Sequence, residues 1–210
     1  MKPILTAALL LVITVSIQAQ TNLSVKAGVN LLTARAYYNG QKQSVSFVPG
    51  AIIGLQASTM FENNLYFSPF VGYSGRGFEI KESATGGKRR VMIHYAHLAT
   101  LFSYHIHAGK SNLLIVNVGP TASLALAGRE KLALNGSSTS TSIKFSTSKG
   151  YGLFDFGAHA GLSYQFNRLQ VGAAYDYGFV NINNNEETDK RNIRNRALSV
   201  SVAYILRSWK

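Results

Sequence analysis

The sequence predicts an all-β fold: an eight-stranded antiparallel up-and-down transmembrane β-barrel. Three observations carry that prediction. Long stretches alternate apolar and polar residues with period two, the signature of a strand with two unlike faces. The connections between these stretches alternate long and short along the chain, as they do in barrels with short turns at one end and long loops at the other. The apolar faces carry almost no charge, so lipid suits them better as a solvent than water does.

The clearest stretch is Phe154–Phe166, FDFGAHAGLSYQF. Its even positions are apolar and its odd positions polar or small. Eight such segments are read at 23–34, 45–60, 65–78, 91–106, 113–126, 151–166, 169–180 and 196–207. Each is roughly 10–16 residues long, where ~9–11 tilted residues cross a bilayer and soluble strands average about 5–6. The short connections are Glu62 to Asn64, His107 to Asn112, and Asn167-Arg168. The long ones are 35–44, 79–90, 127–150 and 181–195. A two-residue hairpin at Asn167-Arg168 pairs Phe166 with Leu169, both apolar. A three-residue turn at Glu62 to Asn64 is expected to pair Phe61 with Leu65.

The outward sets are then Leu23, Val25, Ala27, Val29, Leu31; Leu114, Val116, Val118, Ala122, Leu124; Leu169, Val171, Ala173, Tyr175, Tyr177; and Leu198, Val200, Val202, Tyr204, Leu206. The opposite faces hold Lys26, Asn30, Asn117, Thr121, Ser123, Gln170, Asp176, Ser199 and Ser201 among several glycines. Aromatic residues gather at strand ends, at headgroup depth. The fourth segment, VMIHYAHLATLFSYHI, is apolar on both faces. There Leu98, Phe102, Tyr104 and Ile106 are read outward, and His97, Ser103 and His105 inward.

Residues 1–19 read as a secretory signal peptide. Lys2 precedes an apolar run too short and too terminal for a spanning helix, and Ala19 is a small residue suited to cleavage. Ile17 at the −3 position is large for that role, so the cut could fall a residue away. Residues 20–210 then form one barrel domain. The chain has no cysteine, which removes disulfide and thiol chemistry. Its formal net charge of +12 points to anionic partners. Export makes nucleic acid a poor candidate and leaves acidic polymers or a phosphate-bearing membrane surface. Nothing calls for a cofactor.

VKAGVNL from Val25, FSPFVGYSGRGF from Phe67, VNVGPTASLAL from Val116 and LQVGAAYDYGFVNI from Leu169 together resemble the small outer-membrane β-barrel domain family, often called PorT-like or "porin family". The resemblance covers nearly all of the chain after residue 19. It implies an eight-stranded barrel in a Gram-negative outer membrane, with no assigned activity and no evidence of a pore in the word "porin". It also implies a C-terminal aromatic residue in phase with the outward face, which the insertion machinery reads. The chain ends YILRSWK, and simple parity puts Trp209 out of phase with Tyr204 and Leu206.

Candidate chemistry is sparse. Eight strands leave an interior that side chains can fill, and Ile52, Phe70, Leu101 and Ile115 point into it, against a channel. Lys26, Arg76, Asp155 and Asp176 share inward faces and are expected to form a lumen charge cluster. His105 and His107 share a face but have no carboxylate or thiolate beside them, a poor metal site. Ser103 with His105, and His159 with Ser163, could begin a hydrolytic site. However, Asp155 lies ~13 Å along the strand from His159 and cannot orient it. The connecting regions are richer: Lys81, Lys88, Arg89 and Arg90, then Arg129, Lys131, Lys144 and Lys149, form basic external loops expected to contact anionic lipid headgroups or a protein partner. The last loop sets Lys190, Arg191 and Arg194 against Glu186, Glu187 and Asp189. The Ser/Thr-rich run 135–150 is open between a flexible loop and a β-ribbon. The leading expectation is a non-catalytic structural or interaction barrel. A passive channel, an accessory barrel of a secretion apparatus and, last, a lipid-modifying enzyme are the alternatives.

Overall fold

A computed structural model describes residues 21–82, 86–108, 112–134, 137–146, 150–185 and 189–209. The expected signal peptide and Lys149 lie outside them. Eight antiparallel strands follow one another around a ring: β1 (Thr21–Tyr38), β2 (Val48–Glu62), β3 (Leu65–Phe67 continuing as Phe70–Glu82), β4 (Gly87–Ala99 continuing as Phe102–His107), β5 (Asn112–Leu134), β6 (Phe154–Phe166), β7 (Leu169–Gly178) and β8 (Asn192–Trp209). The ring closes where β8 pairs with β1 from Thr21↔Trp209 to Tyr37↔Asn192. Closure leaves the spanning ring of eight strands without an edge, which hydrocarbon demands of a spanning sheet.

The breaks have local causes. Pro69 interrupts β3 because it has no N–H to donate to the ladder, although its carbonyl still accepts from Ala57 N at 3.0 Å. The interruption in β4 falls opposite Pro120 of β5, whose carbonyl accepts from Thr100 N at 3.0 Å. The tight turns use left-handed asparagines: Asn64 has φ +62° and Asn167 φ +53°. Phe166 pairs with Leu169, as the hairpin reading requires. The other expected pairing is corrected. Glu62, not Phe61, pairs with Leu65, and Phe61 is left as a bulge.

The faces lie as read from the alternation. Val29, Leu31, Val116, Val118, Leu198, Val200 and Val202 are exposed on the outer wall, as are Leu98, Phe102, Tyr104 and Ile106 on β4. Ile52, Phe70, Leu101 and Ile115 are buried inside. Two further bulges reset the phase. On β5, His94 faces Ala127 while Tyr95 faces Ala125, so Leu126 is the extra residue. On β8, Leu23 faces Arg207 while Ser24 faces Ile205, so Leu206 is the extra residue. Beyond Leu206, Arg207 and Trp209 come onto the outer face, opposite Leu23 and Thr21. The Arg207 guanidinium stacks on the Trp209 ring at 4.9 Å. The terminal aromatic is therefore in phase after all, because parity counted through a bulge fails by one residue.

The strands run past the apolar band. The expected long loop at 79–90 is mostly strand, since β3 reaches Glu82 and β4 starts at Gly87. The long third connection is a ribbon: Ser137–Ser142 folds back on β5, from Ser137↔Leu134 to Ser142↔Arg129.

Side chains fill the interior in layers. At the external end Phe78, Ile80, Val91, Ile93, Tyr95, Tyr151, Ile182 and Ile193 pack into one apolar cluster. A polar layer lies below it, and then Ile52, Phe70, Ala99 and Leu101. Gly54 and Gly72 face each other across β2 and β3. A Cβ on Gly54 would overlap the Val71 carbonyl and stand 2.7 Å from the Phe70 ring. The bare backbone is what leaves room for that ring inside the barrel.

Candidate functional site: a closed polar lumen and a basic rim

Arg76 on β3 and Asp176 on β7 meet across the lumen at 3.4 Å, with side chains 4% and 3% exposed. Asp176 also accepts from His159 Nδ1 at 2.8 Å, its direct cross-strand neighbour. A buried carboxylate holding two donors is the arrangement that makes a buried charge tolerable. Asp155 is bound differently. It accepts from Asn195 Nδ2 at 2.8 Å, and Asn195 reaches the Tyr95 hydroxyl at 3.5 Å. Lys26 forms no ion pair among the described residues, and its ammonium sits 5.6 Å from the Phe70 ring centroid. The four residues expected to cluster are thus one ion pair, one hydrogen-bonded carboxylate and one cation over an aromatic ring. His97 bonds Ser123 at 2.8 Å, and Ser103 donates to Asn117 at 2.6 Å.

Asp176 is the carboxylate that orients His159, which reasoning along one strand could not find. Cross-strand register supplies it. The serines still do not complete a hydrolytic set: Ser103 is turned to Asn117, and among the described residues no hydroxyl bonds His159. No group of three metal-ligating side chains occurs among the described residues either.

At the external mouth, Arg89 points inward and pairs with Glu130 at 3.3 Å and Asp189 at 3.9 Å. Asp189 also holds Arg191 at 2.6 Å. Asn183 ties the last loop by donating to the carbonyls of Asp189 and Arg191, both at 2.8 Å. Tyr151 donates to Glu130 at 3.3 Å, and burial, then that carboxylate, pushes its phenol up. These contacts cap the mouth.

Of the basic residues expected on loops, Lys88, Arg89, Arg90, Arg129 and Lys131 lie on strands instead. Lys88 and Arg90 of β4 face Lys81 and Glu79 of β3 on one side and Ala133 and Lys131 of β5 on the other. The Leu126 bulge turns Arg129 and Lys131 outward, whereas unbroken alternation would point them into the barrel. Arg90 is neutralised by Glu79 at 2.8 Å. Lys88, Arg129 and Lys131 are exposed and without ion pairs among the described residues, as is Lys144 beyond the ribbon.

Residues 18–184 match the family model described as outer membrane protein beta-barrel domain. No curated protein matches in sequence. Solved structures with similar folds include Neisserial surface protein A (19% identity; 88% of this chain and 97% of that one; TM-score 0.44). Ail of Yersinia pestis, in complex with the heparin analogue sucrose octasulfate, is 16% identical over 88% of this chain and 98% of its own, with TM-score 0.43. OprG of Pseudomonas aeruginosa is 12% identical over 89% and 96%, with TM-score 0.45.

Proposed function

The chain belongs to the outer membrane protein β-barrel domain family, and from that premise we propose that it is a non-catalytic interaction barrel whose basic external rim engages anionic groups. The observation that carries the reading is the sorting of charge. In the lumen Arg76 pairs with Asp176, Asp155 is held by Asn195, and Lys26 lies over Phe70. Unpaired cations stand on the outer face of β4 and β5 above the apolar band, with Lys88 directly opposite Lys81. Like charges set side by side cost stability unless something anionic lies against them. At that height the candidates are phosphorylated lipid headgroups and acidic partners. A transport role finds less support, because two apolar layers and the mouth cap occupy the lumen.

The test compares wild type with a variant carrying Lys88→Gln, Arg129→Gln and Lys131→Gln. Anionic lipid retained on the barrel purified from outer membranes is quantified by mass spectrometry, beside single-channel recording in planar bilayers. Loss of retained anionic lipid with a silent bilayer supports the reading. Unchanged lipid together with steady single-channel conductance overturns it in favour of a pore.

A further inference from the structure

A second basic patch lies on the opposite arc of the wall, on β7, β8 and β1. Arg35 of β1 stands directly across from Arg194 of β8. One row lower, Arg196 of β8 lies between Thr33 of β1 and Tyr177 of β7. All three arginines continue the outward phase of Leu31 and Leu198, so they face away from the barrel. The patch is built rather than loose. Arg35 Nε donates to the Tyr37 hydroxyl at 2.6 Å and its guanidinium stacks on that ring at 4.8 Å. The Arg196 guanidinium stacks on the Tyr177 ring at 4.7 Å. Arg194 is held by Asn192 at 3.3 Å. Arg35, Tyr37, Asn192 and Arg194 line a groove of about 300 Å³. Among the described residues no carboxylate pairs with any of the three arginines. Arg196 Nε is buried with no hydrogen-bond partner.

Two directly opposed arginines repel each other, and stacking on tyrosine fixes their forks without neutralising them. An anion with several acceptor oxygens would answer both. Height decides which anion. The last fully apolar row is Leu31, Leu198 and Tyr175. Along strands tilted ~45°, rows two and four residues further lie about 5 and about 10 Å above it, at headgroup depth. We propose that Arg35, Arg194 and Arg196, preset by Tyr37 and Tyr177, form a binding site for the phosphate of an outer-leaflet membrane lipid whose acyl chains run down the wall over Leu31 and Leu198. The site rests on the reading of a basic rim above, but on a different arc with different residues.

The full chain in detergent micelles, offered phosphatidic acid in excess phosphatidylcholine, is examined by native mass spectrometry. Wild type retains phosphatidic acid selectively. Arg35→Gln/Arg194→Gln/Arg196→Gln lowers its retention by about tenfold or more, since several charge-assisted bonds are lost together. Tyr37→Phe lowers it less, by releasing the preset Arg35 fork. A heat-modifiability gel confirms that each variant is folded. The proposal is overturned if the folded triple variant retains phosphatidic acid like wild type. It is also overturned if inorganic phosphate displaces the lipid at equal concentration, which would mark a free-anion site, or if an acidic peptide outcompetes it. Lys88→Gln/Arg129→Gln/Lys131→Gln separates the two readings. If that variant alone loses lipid, the arginine site fails and the rim stands. If neither loses lipid, both fail.

Discussion

Removing Asp176 tests whether the polar layer holds the barrel together. Asp176→Ala leaves the Arg76 guanidinium buried without its counterion and takes away the acceptor of His159. Both partners are nearly sealed from solvent, so screening does not soften the loss. Breaking one side of a buried pair costs about 3–5 kcal/mol, which is roughly 10²–10³-fold or more in the folding equilibrium. Removing both charges together, as Arg76→Met/Asp176→Leu, leaves no orphan ion and recovers most of that cost. The assay is urea titration of the barrel in lipid vesicles, followed by the fluorescence of Trp209, the single tryptophan, on the outer face. A double-mutant cycle then yields the coupling. If Asp176→Ala costs under about 1 kcal/mol, or the two changes simply add, the ion pair is not what stabilises the lumen, and the layered account of the interior is wrong.

Three other outcomes follow from the same geometry. Val200→Arg puts a guanidinium on the lipid-facing wall and costs about 2–4 kcal/mol in vesicles near the bilayer midplane; a neutral result in that urea titration would mean the outer face does not meet lipid. Gly54→Val drives a side chain into the Val71 carbonyl and the Phe70 ring, and is expected to cost about 1–3 kcal/mol or more in the same titration. Deleting Ser208 moves Trp209 one position along β8, opposite Asn22 and toward the lumen side, so insertion into outer membranes, measured as the heat-modifiable fraction, should fall; an unchanged yield would show that the phase of Trp209 is immaterial.

The strand count, the ring order and the two faces were legible in the chain, because period-two patterning survives wherever a strand separates unlike environments. Phe154–Phe166 read alone already places His159 and Asp155 inside. What the pattern could not carry was anything that depends on a neighbour. His159 finds its carboxylate on the next strand, at Asp176, because register and not sequence spacing brings them together. Within the expected charge group the direct contacts are likewise set by neighbours: Asp155 meets Asn195, and Lys26 lies over Phe70.

Alternation along the chain therefore determined the architecture by itself, since lipid outside and a packed polar interior impose opposite demands on successive residues. Tertiary structure decided where that alternation slips. A single extra residue at Leu126 turns Arg129 and Lys131 to the outside, and another at Leu206 does the same for Trp209. A bulge is stabilised by what its strand pairs with on either side, so its position is a property of the closed ring and not of any one strand.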